Sequence, residues 1–137
     1  MKKKKLILHI INSLGMGGTE KNLFQIIQKT NHKYNHIVIS LTIEDFYTFK
    51  LKEIGVRVIT INFKNKILLA FNFLKIIQNI YIIKPDVIQT WLYVSDLIGG
   101  MIGKFLGINN IIWGIRHDIK KNSPISEKII VKILSFL

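Results

Sequence analysis

A chain of 137 residues without a single cysteine excludes structural disulfides, zinc–thiolate centres and thiol nucleophiles, and its length suits one domain with a core of its own. The formal charge of +12 is carried almost wholly by lysine, Arg57 and Arg116 being the only arginines, so anionic headgroups and nucleotide phosphates are open as partners. Nucleic acid is set aside, because the lysines are dispersed and lack arginine–aromatic interleaving.

The apolar fraction of 49% and the positive mean hydropathy point to a membrane-adjacent protein, or to an apolar face that expects a partner. Lys2 to Lys5 precede an apolar run at 6–11, but that run holds His9 and stops at Asn12-Ser13. A secretory signal needs ~7–15 apolar residues and a small-residue cleavage site, and neither is present. Nor is there a stretch of ~18 uninterrupted apolar residues. The expected location is cytoplasmic, including the inner face of the cell membrane.

In chain order, 6–11 reads as a first strand running into Gly15, Gly17 and Gly18. Thr19 is placed to cap a helix over 20–29, with Leu23, Phe24, Ile26 and Ile27 as its buried stripe. A second strand is expected over 36–41, a short helix over 44–54 closed by Gly55, and a third strand over 56–61. The segment 66–83 has polar residues at 72, 75, 78 and 79, a spacing that predicts an amphipathic helix with those residues on its wet face. Pro85 ends it, and 86–91 is a fourth strand.

Ser95 or Asp96 is positioned to cap a helix reaching Leu106, with Gly107 beyond its end. Gly99, Gly100 and Gly103 would let that helix approach a neighbour closely. A fifth strand over 110–115 runs out at Arg116-His117-Asp118, and 126–137 is the start of another amphipathic helix. Strands alternating with helices predict an α/β domain: a Rossmann-like, three-layer parallel sheet with right-handed crossovers and strand order 3-2-1-4-5. Ligands bind such sheets beyond the carboxyl ends of the first and fourth strands. Three loops would converge there: 12–20, 91–95 and 116–118.

The chemistry of that crevice is constrained by what the motifs are not. Gly15-Met16-Gly17-Gly18-Thr19-Glu20 has Glu20 where a dinucleotide fingerprint needs its third glycine, and no Gly-Lys-Ser/Thr of a Walker loop occurs. There is no Asp-x-Asp and no pair of acids at a hydrolase spacing, so neither a metal nor another cofactor is expected. Gly17-Gly18-Thr19-Glu20 instead resembles the GGxE loop of the family-four retaining glycosyltransferases with the GT-B fold. The resemblance continues through Pro85-Asp86-Val87-Ile88-Gln89-Thr90-Trp91, Asp96-Leu97-Ile98-Gly99-Gly100 and Trp113-Gly114-Ile115-Arg116-His117.

That resemblance implies the N-terminal, acceptor-side half of a glycosyltransferase over residues 1–137, with the C-terminal donor-binding domain and its Glu-x7-Glu motif absent. It implies transfer of a sugar from a nucleotide-sugar donor to a polysaccharide or lipid-linked acceptor with retention, and no activity from this portion alone. Gly17, Gly18 and Thr19 would face the donor diphosphate with bare backbone amides. The alternative for the glycines is a plain tight turn. Glu20 either contacts a sugar or only complements the helix dipole.

His117 matches the family histidine near the transferred sugar and leaving phosphate, and is the catalytic candidate, with Arg116 beside it to stabilise leaving-group charge. Arg116 has the alternative of pairing with Asp118 or Asp96. Trp91 and Tyr93 offer stacking surfaces for sugar or else belong to the core, and Val94 stands where relatives often carry a histidine. Lys64, Lys66, Lys75, Lys120 and Lys121 are either a solvated surface or a contact for anionic headgroups. A rival reading is a degenerate, non-catalytic Rossmann-like domain that binds a partner or a nucleotide.

Overall fold

The computed structural model describes residues 3–63 and 66–114, of Lys66 the backbone only. Five strands, β1 (Leu6–Ile11), β2 (Asn35–Ser40), β3 (Arg57–Thr60), β4 (Val87–Trp91) and β5 (Ile111–Gly114), form one parallel sheet in the order β3-β2-β1-β4-β5. The register sets Ile10 between Ile39 and Thr90, and Thr90 beside Trp113. This is the expected sheet, with boundaries within a residue or two.

The helices are α1 (Gly18–Thr30), α2 (Phe46–Glu53), α3 (Leu69–Ile83) and α4 (Tyr93–Phe105), with a 3-10 turn, Lys66–Leu68, leading into α3. Alternation along the strands divides the core in two. Leu8, Ile10, Ile39 and Ile88 point one way and pack with Ile76 and Ile80 of α3 and Ile98 and Ile102 of α4. Ile11, Val38 and Trp91 point the other way, onto Leu23 and Ile27 of α1 and Leu51 of α2. Right-handed crossovers that change direction at β1 and β4 require this split, and leave the crevice between those strands uncovered by a connection.

Helix starts differ from those read off the sequence. Thr19 does not cap α1; extended Gly17 does, its carbonyl accepting the Lys21 N–H at 3.0 Å. Asp45, rather than Glu44, opens α2: its Oδ1 accepts the Phe46 N–H at 2.7 Å, and Thr48 Oγ1 accepts the Asp45 N–H at 3.1 Å. Ser95 and Asp96 are not caps either, since both lie inside the first turn of α4, which begins after Leu92 in a left-handed conformation at φ 75°. Asn12, after β1, supplies a cap from a distance, its Oδ1 accepting the Ser95 N–H at 3.1 Å.

Three further features decide how the layers fit. On α4, a Cβ at Gly99 would come within 2.5 Å of Thr90 Cγ2 and 3.0 Å of Ile10 Cδ1, and one at Gly103 within 2.8 Å of Ile111 Cδ1, so these glycines admit the helix to the sheet. Gly55 and Gly107 end α2 and α4 at φ 79° and 73°, as expected of closing glycines. Asn72 departs from expectation: it faces inward and its Nδ2 donates to the Asn62 carbonyl at 2.7 Å, tying the chain after β3 to α3. Among the described residues no helix is long and apolar enough to cross a membrane.

Candidate functional site

At the carboxyl end of β1 the loop is fixed from below by Leu14, fully buried, whose carbonyl accepts the Tyr47 N–H at 2.8 Å. Beyond it the chain turns tightly, the Gly17 N–H reaching the Gly15 carbonyl at 3.1 Å. Met16, Gly17 and Gly18 are exposed, and the first N–H groups of α1 have no acceptor within the helix. A Cβ on Gly18 would meet nothing within 4 Å, so nothing in the packing demands glycine there. A Cβ on Gly17 would overlap the Glu20 carboxylate, and one on Gly15 would lie 3.0 Å from Asp45 Oδ2.

Glu20 is folded back over the start of its own helix, 9% exposed, with Ser13 Oγ donating to its Oε1 at 3.0 Å. The bare backbone at Gly17 therefore accommodates a carboxylate of this chain. That carboxylate also places negative charge beside the amides that would meet a diphosphate, so an anion approaching the loop has to share them with Glu20 or displace it.

Of the two readings of the β4 aromatics, stacking surface or core, the structure has the core. Trp91 is fully buried and Tyr93 nearly so, which removes the Trp91 ring from any stacking on sugar in this arrangement. The cause is the register: Trp91 pairs with Ile11 and points onto the α1 side, where its indole Nε1–H donates to His9 Nδ1 at 3.3 Å. Val94 is 41% exposed on the first turn of α4. Arg116 and His117 lie outside the described residues, as do Asp118, Lys64, Lys120, Lys121 and the helix expected over 126–137.

Two buried polar groups beneath the site were not anticipated. The first is a directional chain of hydrogen bonds. The Trp91 indole can only donate, so His9 Nδ1 must accept and His9 Nε2 must carry the proton. His9 Nε2 then donates to His36 Nδ1 at 3.0 Å, and His36 Nε2 to Thr30 Oγ1 at 3.1 Å; the Thr30 hydroxyl donates to the Ile26 carbonyl at 2.6 Å. Both imidazoles are neutral in this pattern. Burial, with His36 adding to it, lowers the His9 pKa to about 3, and burial also lowers that of His36 against an opposing pull from Thr30. The available signal was one histidine in each of two neighbouring, mainly apolar strands.

The second group is Asp96, shut off from solvent, with neither carboxyl oxygen in a hydrogen bond among the described residues. Burial raises its pKa, partly offset by the nearby Thr90 hydroxyl and Gly114 N–H, neither of which reaches it in hydrogen-bonding geometry. A carboxyl held this way favours its protonated form. Among the described residues no cluster of three His, Cys, Asp or Glu could hold a metal ion.

Solved structures with the same arrangement include HepE of Anabaena in complex with UDP, at TM-score 0.75 and 14% identity over 94% of this chain and 34% of HepE. The lipopolysaccharide outer core galactosyltransferase WaaB in its apo form matches at TM-score 0.61 and 19% identity, over 79% of this chain and 32% of WaaB. The domain has a GT-B glycosyltransferase-like fold. Phosphoribosylglycinamide formyltransferase of Brucella melitensis also superposes, at TM-score 0.62 and 16% identity, over 96% of this chain and 67% of that protein. At these identities the likeness speaks for the fold alone, and the sheet by itself does not select one transfer chemistry. The chain spans about a third of the length of HepE and WaaB. No family model and no curated protein matches it.

Proposed function

We propose that this domain is the acceptor-side part of a retaining family-four glycosyltransferase that moves a sugar, a hexose in the simplest case, from a nucleotide-sugar donor to a polysaccharide or lipid-linked acceptor. The observation that carries the reading is the exposed Gly17-Gly18 turn and first turn of α1 beside the β1–β4 switch point of a GT-B-like sheet. HepE is described with UDP and with UDP-glucose, and WaaB is a galactosyltransferase, which supports a nucleotide-sugar as the donor class.

In this reading the amides of Gly18 and Thr19 approach the diphosphate once Glu20 has swung aside or turned to a sugar hydroxyl. Arg116 and His117, following β5, serve the leaving diphosphate and the transferred sugar. The protein works in the cytoplasm at the inner face of the membrane, needs no metal, and does not act on nucleic acid. A donor-binding domain completes the site, and this chain alone transfers nothing.

The test supplies that domain as a separate chain from a related GT-B enzyme and follows sugar transfer from UDP-sugars to a lipid-linked acceptor. Transfer that depends on both chains and is lost in His117→Ala supports the reading. Absence of rescue with every donor half that is active in its own enzyme refutes it, and leaves a non-catalytic Rossmann-like domain that binds a partner or a nucleotide.

A further inference from the structure

Helix α3, LAFNFLKIIQNIYII, is mostly apolar, yet it lies on the outside of the domain. Ile76 and Ile80 face the sheet, and Phe73 and Ile77 turn toward α4. The outward side should then be polar. Instead Phe71, Leu74, Tyr81 and Ile82 are exposed there, and Ile67 in the preceding turn is 93% exposed. Asn72 is turned inward to Asn62, so that Lys75 and Gln78 are the polar side chains exposed among these apolar ones. Phe73, Ile77, Met101, Ile102 and Phe105 line a groove of about 240 Å³ that continues the surface onto α4, where Phe105 is 82% exposed.

The exposed charges of the two helices are of one sign. The solvent-facing charged residues of α3 and α4 are Lys75 and Lys104, with Lys84 at the end of α3; the single acid of the two helices, Asp96, is buried. Two of the lysines are held against the apolar surface, Lys75 Nζ standing 4.9 Å from the Phe71 ring centre and Lys84 Nζ 5.8 Å from that of Tyr81. Ammonium groups rimming exposed aromatics suit a boundary that is apolar within and anionic at its surface. A second copy of the chain fits worse, because a two-fold contact would bring lysines against lysines, and neither α3 nor α4 has an exposed acid to pair them.

We propose that the α3–α4 face docks this domain on an anionic lipid bilayer, with α3 lying in the plane of the membrane. At 15 residues α3 is about 22 Å long, a length for lying in the headgroup boundary rather than for crossing it. The inference deepens the membrane contact in the proposed function and is independent of sugar transfer.

The test is flotation of the full 137-residue chain with vesicles of phosphatidylcholine alone and of phosphatidylcholine mixed with phosphatidylglycerol. The chain is expected to float with the anionic vesicles and far less with the neutral ones, and to be released as salt is raised. Phe71→Ser/Leu74→Ser, which leaves the charge unchanged, should lower partitioning by roughly tenfold or more, as two apolar side chains no longer leave water. Lys75→Gln/Lys104→Gln should flatten the salt dependence, and Ile26→Ser on the opposite layer should change neither. Far-UV circular dichroism shows that each variant is folded.

No binding to anionic vesicles, or binding that the double serine variant retains, overturns the proposal. So does a stable dimer in sedimentation that this variant converts to monomer, which would assign the face to a second copy. Vesicle binding without any sugar transfer leaves this surface standing and sinks the catalytic reading alone.

Discussion

Acidification should destabilise this domain through His9. In the folded state His9 has a pKa of about 3 against 6.5 when free, because burial strips its solvation and His36 adds to the penalty on charge. The unfolded chain therefore binds the extra proton first, and stability rises with pH across this window. The neutral-histidine contribution is complete above pH 6.5 and is lost progressively as pH falls toward about 3. At about 1.4 kcal/mol per pH unit, moving from about pH 7.5 to about pH 5 removes about 2 kcal/mol through His9 alone. His36, also lowered, acts in the same direction.

Urea unfolding followed by far-UV circular dichroism at several pH values measures this directly. In His9→Gln the amide can still accept from Trp91 and donate to His36, so the variant is expected to fold, at some cost in packing. Its stability should fall by about 2 kcal/mol less than the wild type's over the same pH change. Equal pH dependence in the two chains would refute the argument. So would nitrogen chemical shifts showing His9 with its proton on Nδ1, since the hydrogen-bond chain from Trp91 to Ile26 requires it on Nε2.

Gly99→Ala should lower the thermal midpoint despite alanine's better helix propensity, because the added carbon meets Thr90 Cγ2 at 2.5 Å; overpacking of about 1–3 kcal/mol exceeds the ~1 kcal/mol gained. An unchanged or higher midpoint would mean that α4 does not sit this close to β4. Asp96→Asn should be tolerated or stabilising near neutrality, since it relieves the cost of a buried carboxyl with a raised pKa. That cost sets in as pH rises from 3.8, so the variant's advantage should grow with pH and vanish in acid. A lower midpoint for Asp96→Asn at neutral pH would show that the carboxylate is held by a partner.

The strand positions and both closing glycines at 55 and 107 were legible in the sequence because each depends on local pattern, and the sheet order followed from the usual topology of alternating strands and helices. Parallel strands covered on both faces read as short apolar runs, and left-handed helix ends call for glycine. The glycine loop after β1 was legible for the same reason. Its occupancy by Glu20 was not, because that depends on a side-chain rotamer and on Ser13 beside it.

What needed the tertiary structure shares one physical cause: it is set by which residues meet across the sheet. The amide that Asn12 caps belongs to Ser95, 83 residues away, so no local signal marks the start of α4. Trp91 is core because the β1–β4 register aligns it with Ile11, and the same register brings its indole to His9. Asn72 turns inward to donate to the Asn62 carbonyl, a contact that the spacing of polar residues along α3 does not reveal. Periodicity determined that these helices and strands form. Only strand pairing decided which polar groups became buried partners and which apolar ones were left facing out.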